Sequence, residues 1–159
     1  MGERAPHNDP LARGVFIGMT MDTTRADMTQ AVLEGIAFAY RDMVESARAL
    51  GIRVNNSTLC GGGAKNAVWQ EILTNVLNLP LTILKEEQGP GLGAAMLSAL
   101  SRGQYLSLRH AADATVRISH TVKPTMDIAK AHDQRYQVFQ QIYPALRDIY
   151  PLLPCNSLE

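Results

Sequence analysis

Only two cysteines, Cys60 and Cys155, occur among the 159 residues. They are too few for a disulfide framework and lack the spacing of metal ligands. They are expected as reduced thiols of a cytoplasmic protein. The four histidines, His7, His110, His120 and His132, are scattered, a pattern that does not suggest a zinc cluster. No apolar run approaches the ~18 residues a membrane span needs, and no charged-then-apolar leader opens the chain. Neither sign of charge is in excess, with 15 Lys and Arg against 15 Asp and Glu. No overall field therefore recruits nucleic acid or a membrane surface. Internal repeats and low-complexity linkers are also missing. The composition, 46% apolar and 19% charged, is that of one ordinary globular domain.

Hydrophobic periodicity supplies the elements. Residues 14–20, "GVFIGMT", form a short apolar and aromatic run bounded by polar residues, which predicts a strand. Asp27 can cap a following helix whose apolar positions include Met28, Val32, Ile36, Tyr40, Met43, Val44 and Leu50, with Gly51 as its stop. Residues 57–60 predict a second strand, Val68 to Leu77 a helix closed before Pro80, and 81–84 a third strand. "GPGLGAAMLSALSRG" predicts a glycine turn and then a small-residue helix ending at Gly103. Residues 104–124 are weakly patterned and expected to be irregular. A C-terminal helix follows from Asp127, with a kink expected at Pro144 and an end at Pro151 and Pro154. Strands alternating with helices imply βαβ units and a parallel sheet covered by helices.

Two glycine-rich stretches stand where such a fold binds ligands, beyond the carboxyl ends of strands. The first, "CGGGAKN", places Gly61, Gly62 and Gly63 between a strand and a helix. Glycines let backbone N–H groups approach a phosphate or nucleotide closely, and the helix start adds about +0.5 charge. A plain structural turn would use the same residues. The run lacks the lysine and hydroxyl residue that end a P-loop, and Asn66 stands where a dinucleotide fingerprint wants a third glycine. Lys65 can reach a phosphate or simply be solvated. Asn66 suits a helix cap as well as an adenine or ribose contact. Gly91 and Gly93, in the second stretch, are equally explained by close packing of a helix on the sheet.

Three blocks together resemble the C-terminal domain of the FGGY family of carbohydrate kinases. The first is Gly14, Phe16, Gly18 and Met19, then Asp27, Met28, Ala31, Val32, Leu33 and Glu34 at the spacing of a family signature. The second, "TLCGGGAKN", resembles the adenosine motif of the actin-like ATPase and hexokinase superfamily. The third, "GPGLGAAMLSA", resembles that superfamily's second connecting motif. The opening "GERAPHNDPLARG" is similar to the loop of members whose acceptor is D-xylulose. The likeness runs from about Gly2 to Tyr150.

The resemblance implies an α/β, ribonuclease H-like domain that lacks its first strands. It implies a loop over 1–13, a nucleotide-binding core over 14–103, and an irregular segment and helix over 104–159 packing on the same domain. It implies ATP and a small sugar as substrates, with Mg2+ held mainly by a part that has no counterpart here. Gly62 and Gly63 would lie against the adenosine and α-phosphate, Ala64 would leave room for that approach, and Asn66 would sit near the adenine edge. Gly61 would keep the turn compact. The catalytic aspartate of the family belongs to its first domain, so this chain is expected to be an inactive C-terminal fragment. Asp22, Asp27 and Glu34 are not assigned to catalysis, and Arg4 and His7 are either cleft-side or plain surface residues. Kinases for ribulose or glycerol, or a non-catalytic sugar-responsive module, are the alternatives. Unpaired strand edges would favour a homodimer.

Overall fold

A computed structural model describes residues 2–85 and 89–154. In chain order its elements are α1 (Arg25–Ala49), β1 (Ser57–Leu59), a 3-10 turn (Gly62–Lys65), α2 (Ala67–Leu77) and β2 (Leu81–Leu84). There follow α3 (Gly89–Ser101), α4 (Leu108–Thr115), β3 (Ile118–Val122), α5 (Met126–Leu146) and a 3-10 turn (Tyr150–Leu152). Two compact units emerge: one takes the chain up to Val54, Asn75–Asn78 and everything from Pro124, and the other takes Asn55–Thr74 and Leu79–Lys123.

The first unit is built on α1 and α5. Thr24, not Asp27, is the N-cap of α1. Thr24 Oγ1 accepts from the Asp27 amide at 3.2 Å, and the Asp27 carboxylate accepts from the Thr24 amide at 2.9 Å. This reciprocal capping box starts the helix at Arg25, ahead of the Asp27 start expected from sequence. Gly51, at φ +82°, ends it as anticipated. Its amide reaches the Arg48 carbonyl and that of Ile52 the Ala47 carbonyl, the paired bonds of a Schellman stop. Ala37 and Phe38 of α1 and Ala129, His132 and Tyr136 of α5 are buried. Polar ties frame them: Arg135 donates to both oxygens of Glu34 at 3.0 Å, and Arg41 pairs with Asp133 at 2.7 Å. The Tyr136 hydroxyl donates to Asp42, and the Arg41 guanidinium lies 4.4 Å over the Tyr136 ring.

Residues 14–20 correct the first strand expectation. They form no strand, and Val15, Phe16, Ile17 and Met19 are exposed, Ile17 by 64%. Apolar and aromatic residues suit a pleated surface, but a strand exists only with a ladder partner, and none pairs with this run among the described residues. The opposite face of α1 also exposes Val32, Ile36, Tyr40 and Met43. α5 continues through Pro144 to Leu146.

The second unit holds a three-stranded sheet of order β1-β2-β3. β1 and β2 are parallel, joined through α2 as expected, with Thr58 opposite Thr82. β3 is antiparallel to β2, with Ile83 opposite His120, so the sheet is mixed instead of all-parallel. β2 is the central strand and the most buried, with Leu81 and Ile83 inside; Ile72, Leu73, Leu79 and Ala111 of the same unit are buried as well. Thr74 is fully buried, and its hydroxyl donates to the Leu79 carbonyl at 2.6 Å. A buried hydroxyl needs such a partner.

Residues 104–124 are not irregular. Ser107 caps α4 by accepting from the His110 amide at 3.1 Å, and Ile118–Val122 complete the sheet. The glycine turn expected at "GPGLG" is already α3, which begins at Gly89 with Pro90 in its first turn, a position proline tolerates. A Cβ on Gly91 or Gly93 would meet nothing within 4 Å, so close packing does not explain them either.

Candidate functional site

The second unit's β1 leads into the three consecutive glycines, and each behaves differently. Gly61 has φ +89° and ψ 174°, a conformation open in practice to glycine alone. Its carbonyl accepts from the Ala64 amide at 2.9 Å, and that of Gly63 accepts from the Asn66 amide at 3.1 Å, closing one 3-10 turn. Gly63 is tight: a Cβ there would sit 2.9 Å from Trp69 Cδ1 and 3.0 Å from Nε1. Gly62, between them, is exposed and unconstrained, with nothing within 4 Å of a Cβ and no positive φ.

Asn66 leaves the turn in an extended conformation, φ −96° and ψ 113°. Its Oδ1 accepts from the Trp69 amide at 3.1 Å and its carbonyl from the Gln70 amide at 3.0 Å. It is therefore the cap that opens α2, as its residue type suggested. Ala64 is buried and Lys65 exposed. Gly62, Gly63, Ala64 and Asn66 thus share one turn between a strand end and a helix start. Backbone groups there lie open on the Gly62 side, beside one lysine and no carboxylate.

Three further residues support this turn and were not singled out from sequence. Trp69 packs against Gly63. Gln70, only 8% exposed, donates from Nε2 to the Ala64 carbonyl at 2.6 Å. Its Oε1 lies 3.2 Å from His120 Nε2 on β3, and His120 Nδ1 is 3.1 Å from Ser119 Oγ. One signal for Gln70 was available, since it lies four residues beyond the Asn66 cap and so on the turn-facing side of α2.

The other candidates are occupied by the fold of the first unit. Thr24 holds the Asp27 carboxyl below its ordinary range through side-chain and backbone hydrogen bonds. Glu34 is engaged by Arg135 and by Gln30 Nε2 at 2.8 Å. His7 stacks on Tyr143 at 3.7 Å between ring centres. It borders a groove of about 320 Å³ lined also by Pro6, Asp42, Glu45, Tyr136 and Gln140. Among the described residues no three His, Cys, Asp or Glu side chains gather to hold a metal ion. Cys60 is an exposed free thiol, and Cys155 lies outside the described residues.

Comparison with known proteins adds an independent line. Residues 1–102 match the FGGY family of carbohydrate kinases, C-terminal domain. A xylulose kinase of Staphylococcus epidermidis is 33% identical over 148 residues, covering 93% of this chain and 30% of that protein. The crystal structure of xylulose kinase from Rhodospirillum rubrum superposes with TM-score 0.80 at 30% identity, over 89% of this chain and 29% of that one. Plasmodium falciparum glycerol kinase with ADP superposes with TM-score 0.72 at 26% identity, over 88% and 29%. The chain spans about 30% of the length of the curated relatives it matches.

Proposed function

Since the chain belongs to the FGGY family of carbohydrate kinases, we propose that it is the ATP-binding part of a sugar kinase acting on D-xylulose, with D-xylulose 5-phosphate as product. The fold is the ribonuclease H-like, actin-like ATPase type of its neighbours. The observation that carries the nucleotide reading is the turn from Gly61 to Asn66, where Gly62 is open and has no other structural constraint. On this reading Gly62 and Gly63 lie against the adenosine and α-phosphate. Ala64 leaves room for that approach, and Asn66 borders the adenine while capping α2. The ADP in the glycerol kinase neighbour supports a nucleotide as ligand.

Phosphoryl transfer asks a protein mainly for positioning and charge stabilisation. In this assignment the residues here bind and orient the nucleotide and exclude water from one side of it. A nucleotide-bound Mg2+ takes one or two carboxylates besides phosphate oxygens. The turn itself carries none, so the metal is assigned mainly to the rest of the kinase, and we assign this chain no catalytic base. The xylulose acceptor draws support from the relatives named above. The same reading takes the protein as cytoplasmic, consistent with the free thiol of Cys60 and with no described helix long and apolar enough to cross a membrane. Balanced charge supports small molecules, not nucleic acid or membrane, as partners. The outer edges of β1 and β3, unpaired among the described residues, are the feature that would support a homodimer.

Calorimetric titration of the 159-residue chain with MgADP and MgATP tests the nucleotide assignment, and an ADP-release assay with D-xylulose, ribulose and glycerol tests the rest. Nucleotide binding without turnover is expected. No binding would refute the site, and turnover by this chain alone would refute the assignment of the catalytic base elsewhere.

A further inference from the structure

We propose that Gln70 is a positioning residue for the nucleotide turn, clamping it to β3 through His120, an inference that rests on the nucleotide reading above. Gln70 is a primary amide buried to 8% exposure in a helix whose neighbouring positions, Ile72 and Leu73, are core. An amide buried there is tolerated only if its polar ends are bonded. Nε2 is committed to the Ala64 carbonyl at 2.6 Å. The end left for His120 is therefore the acceptor Oε1, at 3.2 Å, and His120 Nε2 must carry the proton. That tautomer leaves Nδ1 to accept from the Ser119 hydroxyl, 3.1 Å away. His120 in turn is fixed by the β2–β3 ladder opposite Ile83.

The chain of bonds therefore runs from a sheet strand to the Ala64 carbonyl of the glycine turn. Gly61 and Gly63 carbonyls accept bonds inside the turn, and the Ala64 carbonyl is held from α2 by Gln70. Holding it sets the plane of the peptide before Lys65 and, through the tight turn, the tilt of Gly62 and Gly63. A ligand that reads backbone position is sensitive to that tilt. Loss of the clamp lets the turn rotate while α2 and the sheet stay folded, so affinity falls more than stability.

The test uses the 159-residue chain with Gln70→Met, which keeps length and volume but no polar end, and Gln70→Glu, which still accepts from His120 but turns a carboxylate oxygen on the Ala64 carbonyl. His120→Ala removes only the outer link. Calorimetry with MgADP is expected to show about tenfold weaker binding for both Gln70 variants and about threefold for His120→Ala. Adding His120→Ala to Gln70→Met should weaken binding no further, because the link is already cut. Amide exchange should accelerate at Ala64 and Asn66 and stay unchanged in α1 and β2. Binding by Gln70→Met within twofold of the parent overturns the proposal, as does a loss of protection spread evenly over the chain. If the parent chain binds no MgADP, the nucleotide reading fails instead. Exchange then decides the clamp, and unchanged rates at Ala64 and Asn66 in Gln70→Met overturn it.

Discussion

Alanine placed singly at Gly61, Gly62 and Gly63 separates what the turn needs for its own fold from what it needs for a ligand. At Gly61 the backbone stands at φ +89° and ψ 174°. A side chain there forces strain or rearrangement worth about 1–3 kcal/mol. At Gly63 the obstacle is steric, since the new methyl meets the Trp69 indole at 2.9 Å. Carbon atoms prefer separations of about 3.5–4 Å, so the ring must move most of an ångström. The Trp69 backbone is held at the helix start by its amide bond to Asn66, so relief must come from the side-chain torsions, and overpacking of this kind costs about 1–3 kcal/mol. Gly62 has neither constraint, so its substitution should raise stability by about 0.5–1 kcal/mol. The ligand reverses that order of interest. A methyl on the open face of Gly62 occupies the layer where a base or ribose would touch backbone, and at least tenfold weaker MgADP binding is expected. Urea unfolding followed by far-ultraviolet circular dichroism gives the stabilities, and calorimetry the affinities. Undiminished nucleotide binding by a stable Gly62→Ala chain would refute the contact, and a Gly63→Ala chain as stable as the parent would refute the packing argument.

Two further outcomes concern the first unit. Thr24→Ala should lower stability by about 1 kcal/mol through loss of the α1 cap, read as a lower urea midpoint. The Asp27 carboxyl, held low by Thr24, favours folding above its ordinary value of 3.8. That contribution disappears as pH falls through the lower folded value, so the variant should show a flatter acid limb. Burial pushes the His132 imidazole below its ordinary 6.5, outweighing the attraction of Glu34. Its contribution is therefore complete above pH 6.5 and is lost as pH falls through the folded value. His132→Phe, facing Phe38, should remove that decline below pH 6.5, and an equal decline in the variant would refute the assignment.

The elements that were legible are those whose causes are local. α1 repeats apolar residues at helical spacing, and Gly51 supplies the one left-handed residue its stop requires. β2 was bounded correctly at Leu81 and Leu84 because Pro80 precedes a compact apolar run. Residues 14–20 failed for the converse reason. Val15, Phe16 and Ile17 have strand-like side chains, but pairing is a property of two segments, and one segment cannot reveal it. β3 was hidden because "ISHTV" spreads its period-two signal over only five residues, three of them polar. The Ser107 cap of α4 has a local cause too, a serine three residues ahead of the His110 amide it accepts from. At the site, the turn was visible and its division of labour was not. Gly63 is required by a tryptophan six residues later, and Gln70 by a carbonyl and a histidine, contacts that only a folded chain brings together.

A motif residue that the fold already explains carries little information about a ligand. Asp27 closes a capping box, Glu34 faces Arg135, Asn66 caps α2, Gly61 meets a backbone demand and Gly63 leaves room for an indole. Every one of these would be kept by a protein that bound nothing. Gly62 is different. Glycine at an unconstrained position gives up about 0.5–1 kcal/mol relative to alanine, and nothing around Gly62 offsets that loss. The fold alone would favour a larger residue there. On the proposed reading, a flat ligand resting on bare backbone at the end of β1 is what opposes it.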